Sequence, residues 1–134
     1  MLRGLTTTSF YAHDLDAART WYTDLFGTEP YFVVPGGYLE WRIGDYHHEF
    51  GVVNAAYAPH DTTTGPAGAI AYWCVDDVHT AHADLLARGA TPHHPPTDRG
   101  TSGFTTASVV DPFGNVLGVM TNPHYHDVLR TLKP

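Results

Sequence analysis

Apolar and polar positions along the chain follow one plan, written twice. Residues 5–12 are rich in Thr and aromatic side chains, which suits a strand. Asp14 follows as a helix cap. Over residues 16–26, Ala18, Trp21, Tyr22, Leu25 and Phe26 recur at spacings of three and four, forming one face of an amphipathic helix. Gly27 suits the helix end and Pro30 prevents continuation. Three short strands then fit residues 31–34, 38–43 and 47–53, separated by Pro35-Gly36-Gly37 and Gly44-Asp45. Residues 55–66 carry Ala, Pro, Asp, Thr and Gly without a period and read as a linker.

The plan then repeats. Residues 69–75 read as a strand, and Asp76-Asp77 as a cap. Val78, Ala81, Leu85 and Leu86 form the next helical stripe, ended by Gly89. Gly89-Ala90-Thr91-Pro92 repeats the Gly-x-x-Pro spacing of Gly27-Thr28-Glu29-Pro30. Residues 91–101 hold an edge strand, because their prolines cannot donate to a ladder. Strands over 104–110 and 116–121 flank Asp111-Pro112-Phe113-Gly114-Asn115, whose residues make a tight hairpin. Asn122-Pro123 opens a C-terminal helix.

The order is βαβββ, linker, βαβββ, helix, an α+β class with an internal duplication. Module 1 covers about residues 1–54, the linker 55–66, module 2 67–121 and the C-terminal helix 122–134. One helix covers one face of each sheet. Side by side, the modules would form a curved eight-strand cup with a concave face.

Composition narrows the partners. A formal charge of −7 with only seven Lys and Arg excludes nucleic acid or an anionic membrane as the main partner. No charged-then-apolar signal pattern opens the chain, and no apolar run approaches the ~20 residues that span a bilayer. The single cysteine, Cys74, cannot form an internal disulfide, so a reducing cytoplasm is the expected setting. Cys74 lies in an apolar run and is expected to act as a small hydrophobe.

Three sets of residues carry a family resemblance. The first is Ala12-His13-Asp14-Leu15-Asp16-Ala17-Ala18 leading to Trp21-Tyr22-Thr23-Asp24-Leu25-Phe26-Gly27. The second is Val75-Asp76-Asp77-Val78 with Ala87-Arg88-Gly89-Ala90, and the third is Asp111 to Asn115. In this order and spacing they make the chain resemble the vicinal-oxygen-chelate superfamily of glyoxalase I, bleomycin-resistance proteins and extradiol dioxygenases. The resemblance implies paired βαβββ modules, a cup-shaped cavity and a homodimer. It also implies four metal-ligand positions, carried over by motif spacing to Thr7, Glu49, Ala69 and Gly118. Only Glu49 is a good ligand, so no metal cofactor is expected and a divalent ion is disfavoured.

Alternation along the strands extends a cup lining from those positions. Thr7 brings Ser9 and Tyr11, Ala69 brings Ala71 and Trp73, and Gly118 brings Val116 and Met120. The small residues leave space, and the aromatic and sulfur-bearing ones form walls for a flat, partly apolar ligand. His47 is expected to share a face with Glu49, and Glu40 and Arg42 are further polar candidates. The first expectation is a metal-independent binder of a medium-sized, partly apolar small molecule. The alternative is a lyase-, dioxygenase- or isomerase-type enzyme. It would use Glu49 and His47 as an acid–base pair, or a non-standard metal site drawing on His93-His94 or on His124 and His126. A dimeric domain with no small ligand, its histidines merely solvated or hydrogen-bonded, is the blandest option.

Overall fold

The computed structural model describes residues 1–66 and 68–132. The chain divides into two compact units, residues 1–65 and 66–134. The first contains β1 (Thr7–Ala12), α1 (Leu15–Phe26), β2 (Phe32–Val34), β3 (Tyr38–Ile43) and β4 (His48–Asn54). A short 3-10 turn, Ala55–Tyr57, follows inside the expected linker. The second unit contains β5 (Ala71–Cys74), α2 (Val78–Ala87), β6 (Thr91–Asp98), β7 (Thr105–Val110), β8 (Val116–Thr121) and α3 (Pro123–Leu132). The expected start of module 2 at Ala67 and the helix end at Lys133 and Pro134 lie outside the described residues.

Both units use the same topology. Sheet order is β1-β4-β3-β2 in one and β5-β8-β7-β6 in the other. The first strand pairs in parallel with the last, and the remaining pairs are antiparallel. The α+β reading with duplicated βαβββ modules therefore holds.

Local chemistry explains the helix ends. The Asp14 carboxylate accepts from Ala17 N at 3.0 Å, satisfying an otherwise unpaired first-turn donor. Gly27 takes the left-handed φ of +73° that closes α1, and its N–H donates to Thr23 O at 2.8 Å. Asp77 caps α2 by accepting from Thr80 N at 3.1 Å. That backbone bond holds the Asp77 carboxyl below its usual range.

The first core is aromatic. Tyr22 of α1 sits among Phe10, Phe26, Trp41 and Phe50, with ring centres 5.1–6.4 Å from its own. Trp41 is fully buried, and its indole N–H donates to Thr28 O at 3.0 Å. The second core is aliphatic: Val78 and Leu85 of α2 are buried, as are Ala107, Val109, Leu117 and Val119 of the sheet. Burying such side chains contributes about 1.5–3 kcal/mol each for the larger ones. β6 is an edge strand as expected, with register shifts beside Pro92 and His94.

The Asp111 turn is a dense polar knot. Asp111 is buried, and its Oδ1 accepts from Phe113 N at 2.9 Å and Asn115 N at 2.8 Å. The Asn115 amide donates to both carboxylate oxygens, at 3.2 and 2.9 Å. α3 lies largely at the surface. It has no buried residue, Tyr125 and Leu129 are half-buried, and Val128 is exposed. No helix among the described residues is long and apolar enough to cross a membrane.

Candidate functional site

Each sheet has one face under its own helix and one face away from it. Partners across a ladder share a side, so the register sorts the side chains. In the first sheet Phe10, Leu39, Trp41, Phe50 and Val52 turn towards α1. The far face takes the alternate positions: Thr7, Ser9 and Tyr11 of β1, Glu49 and Gly51 of β4, Tyr38, Glu40 and Arg42 of β3, and Phe32 of β2. Glu40 and Arg42 thus sit with Glu49, as alternation implied.

These side chains form a connected polar and aromatic network. Glu40 is buried at 9% exposure. Its Oε1 accepts from the Tyr38 hydroxyl at 2.7 Å, and its Oε2 accepts from the Tyr31 hydroxyl. Donation to Glu40 raises the Tyr31 pKa; burial first, and then the same carboxylate, raise that of Tyr38. The Arg42 guanidinium lies over the Tyr31 ring, 4.4 Å from its centre. Arg42 Nη2 reaches Glu49 Oε1 at 3.5 Å, and Thr7 Oγ1 donates to Glu49 Oε2 at 2.8 Å. Tyr31 and Phe32 remain half exposed, at 49% each. Ser9 is exposed, while Tyr11 is half-buried with His60 edge-on at 5.0 Å.

His47 does not join Glu49. The turn after β3 runs through Gly44 to His47, whose N–H donates to Gly44 O at 3.2 Å. His47 closes it with a left-handed φ of +52° and is exposed. The strand begins one residue later, so alternation does not extend back to His47.

In the second sheet one expected phase is reversed. Ala71 pairs with Leu117 and Trp73 with Val119, so both share the α2 side. Tyr72 pairs with Gly118 and Cys74 with Met120, and these four occupy the far face. Ala69 precedes the strand and is exposed. Asp77, rather than Asp76, caps α2, so the phase counted back from the cap shifts by one residue. A one-residue shift exchanges the two faces of a strand. Gly118 and Met120 stand on the expected side.

Tyr31, Phe32 and Tyr38 in the first-sheet network, and Tyr72 on the far face of the second sheet, are candidates that sequence reasoning left out. Alternation from Glu40 places Tyr38, and Phe32 follows from its pairing with Glu40. Three of the other histidines meet polar atoms of the second unit. His93 Nδ1 lies 2.7 Å from Ser108 Oγ, and His94 Nδ1 lies 3.3 Å from Pro95 O. His126 Nε2 lies 3.8 Å from Cys74 Sγ. Cys74 is half-buried. His124 is exposed. A shallow cleft of about 470 Å³ lined by Arg19, Thr20, Thr23, Asp24, Gly27 and Glu29 lies along α1.

A family model for the glyoxalase/bleomycin resistance protein/dioxygenase superfamily matches residues 4–119. The chain belongs to this superfamily. Among solved structures it is similar to a lactoylglutathione lyase from Agrobacterium tumefaciens, with 21% identity, a TM-score of 0.68 and coverage of 93% of this chain and 98% of that one. A glyoxalase-related enzyme from Fulvimarina pelagi gives 19% identity, a TM-score of 0.70 and coverage of 91% and 90%. The fosfomycin resistance protein FosX from Mesorhizobium loti gives 14% identity, a TM-score of 0.66 and coverage of 96% and 99%. At these identities the likeness is one of fold. No curated protein gives a significant match.

The superfamily's metal does not fit the residues present. Of the carried-over positions, Thr7 offers a hydroxyl already donated to Glu49, and Ala69 and Gly118 offer no side-chain donor. Glu49 is engaged by Thr7 and Arg42. A Cβ on Gly118 would lie 2.6 Å from Tyr72 Cδ1, so a side chain at that position would have to displace the Tyr72 ring. Among the described residues, no three His, Cys, Asp or Glu side chains converge where an ion could sit.

Proposed function

We propose that this protein is a metal-independent binder of a medium-sized, partly apolar small molecule, with the far face of the first sheet supplying ligand contacts. The supporting observation is the engagement of Glu49. The one good ligand side chain among the carried-over metal positions is held by Thr7 and Arg42, beside the half-exposed rings of Tyr31 and Phe32. Rings give contact area, and Arg42 and Glu49 give orientation. A homodimer in the cytoplasm belongs to the same proposal.

A second reading is an enzyme of the superfamily in which Glu49 moves a proton. The hydrogen bond from Thr7 favours it, because it fixes the carboxylate's orientation. His47, exposed in its turn, is not the partner in that reading.

The test is metal analysis of protein purified without a histidine tag, followed by thermal-shift screening against flat aromatic natural products with and without EDTA. The expected result is a substoichiometric metal content and hits indifferent to EDTA. Arg42→Ala and Phe32→Ala should weaken those hits. Stoichiometric Zn, Ni, Mn or Fe would overturn the metal-independent reading, and turnover of a hit would favour the enzyme.

A further inference from the structure

Two sulfur-bearing side chains and an imidazole gather at one end of the second sheet. Cys74, the last residue of β5, pairs with Met120 of β8 in the parallel ladder, so both side chains leave the face away from α2. α3 brings a third group there: His126 Nε2 lies 3.8 Å from Cys74 Sγ. Cys74, Met120 and His126 are each half-buried. The register sets no carboxylate beside them. Met120 pairs on its other side with Thr106, whose hydroxyl accepts from Arg99 Nε at 3.0 Å. His93 is engaged by Ser108, which pairs with Gly118 further along the face.

We propose that Cys74, His126 and Met120 form a site for a soft monovalent cation, Cu(I), held by thiolate, imidazole and thioether. The proposal is independent of the small-molecule reading, which rests on the first sheet. Thiolate and thioether sulfur select Cu(I), whereas a thioether is a poor ligand for harder divalent ions. The spacing suits one shared ion. Bonds of about 2.3 Å to sulfur and about 2.0 Å to nitrogen, the lengths zinc takes, set the two atoms about 3.7 Å apart when they meet at about 120°. Cys74 Sγ and His126 Nε2 stand at 3.8 Å before any ion arrives. Charge points the same way. On binding, the Cys74 thiol releases its proton to water and the thiolate neutralises one positive charge. A divalent ion would keep a net positive charge, with the Arg99 guanidinium on the neighbouring Thr106. α3 has no buried residue, so it can shift to admit the ion without opening the core.

The experiment titrates the full chain, purified without a histidine tag, anaerobically with Cu(I) against the competing chelator bicinchoninate. Its methionines carry carbon-13 at the methyl group. Met1 and Met120 are the two methionines of the chain, and Met120→Leu assigns their NMR signals. A single equivalent of Cu(I) should shift the Met120 methyl and leave that of Met1 in place. Cys74→Ser should lose at least about a hundredfold in affinity, and His126→Ala and Met120→Leu about tenfold each. His126→Ala removes no buried side chain and should melt as the wild type does. Should Cys74→Ser melt early, capping Cys74 in the folded wild type with methyl methanethiosulfonate gives the same readout. Zn(II) under the same conditions should leave the Met120 signal unmoved. Wild-type affinity in both His126→Ala and Met120→Leu would reveal coordination by a solitary thiol and overturn the site. So would a shift of Met1 alone, or Zn(II) held as tightly as Cu(I).

Discussion

Thr7 and Glu49 face one another across the parallel β1–β4 pair, and the Thr7 hydroxyl donates to Glu49 Oε2 at 2.8 Å. These are two of the positions at which metal-bearing relatives would hold an ion. Here they hold each other, with Arg42 on the remaining oxygen. Added Zn²⁺, Ni²⁺ or Mn²⁺ should therefore move the melting temperature by less than about 1 °C. An ion at a hundred times its Kd would add about 2.7 kcal/mol and raise it by several degrees. A rise of that size, abolished in Glu49→Gln, would reinstate the metal.

The same pair should contribute little to folding. Arg42 is 54% exposed and Glu49 32%, where ion pairs are screened and long side chains retain mobility. Thr7→Val and Arg42→Ala should each change unfolding stability by under about 1 kcal/mol in urea titration. A loss several times larger would mean that this network holds the sheet together.

Glu40 is the opposite case. It is buried, and its two oxygens are satisfied by Tyr31 and Tyr38. Tyr38→Phe leaves one oxygen short of a donor and should cost about 1–3 kcal/mol near neutral pH. Tyr38 also has a raised pKa in the fold, caused first by burial and then by Glu40. Its contribution is complete below the unfolded value of about 10 and is lost as pH climbs from there towards the folded pKa. Alkaline unfolding should accordingly be shallower in Tyr38→Phe than in the wild type, measured by circular dichroism from pH 9 to 12. Identical alkaline slopes would show that Tyr38 is not the group titrating.

The sequence made this fold legible because helix and turn chemistry is local. Asp14 with Ala18 and Tyr22, and Asp111 with Gly114 and Asn115, each act within a few residues, and each stands where expected. The first-sheet site was readable for Glu49, Glu40 and Arg42 because polar and apolar residues alternate through Tyr38 to Ile43. The run Ile70 to Val75 has no such alternation, so its phase could come only from the cap. Two adjacent aspartates, Asp76 and Asp77, left that phase ambiguous, and Trp73 exchanged faces with Tyr72. His47 fell in a turn whose length its neighbours do not specify. The Tyr31 bond to Glu40 links residues that only the sheet brings together.

Asp77 offers a test of that phase. Its carboxyl is held below the usual 3.8 by the Thr80 N–H. A depressed carboxylate adds stability above its unfolded pKa, and this is lost as pH falls through the folded value. Asp77→Ala should melt below the wild type at pH 6, and the two curves should converge as the pH falls from the usual 3.8 through the lowered folded value. Asp76→Ala should show neither effect. If Asp76→Ala proved the more damaging, the cap and the face assignment of Tyr72 would both be wrong.

Asp111 has the largest predicted effect in the second unit. Its buried carboxylate satisfies Phe113 N, Asn115 N and the Asn115 amide. Asp111→Ala leaves those donors unpaired and should cost about 2–3 kcal/mol. Asp111→Asn keeps Oδ1 as an acceptor for both backbone groups but turns an amide towards Asn115, so about 1 kcal/mol is expected. The turn also fixes which β8 residue lies under Tyr72. A slip by one residue would replace Gly118 with Leu117 or Val119, and either side chain would push the ring off the sheet. Asp111→Ala should therefore speed amide exchange in β7 and β8 and broaden the Tyr72 ring signal, while the first sheet stays protected. Uniform loss of protection across both sheets would instead show that the units unfold together and that the turn acts on global stability alone.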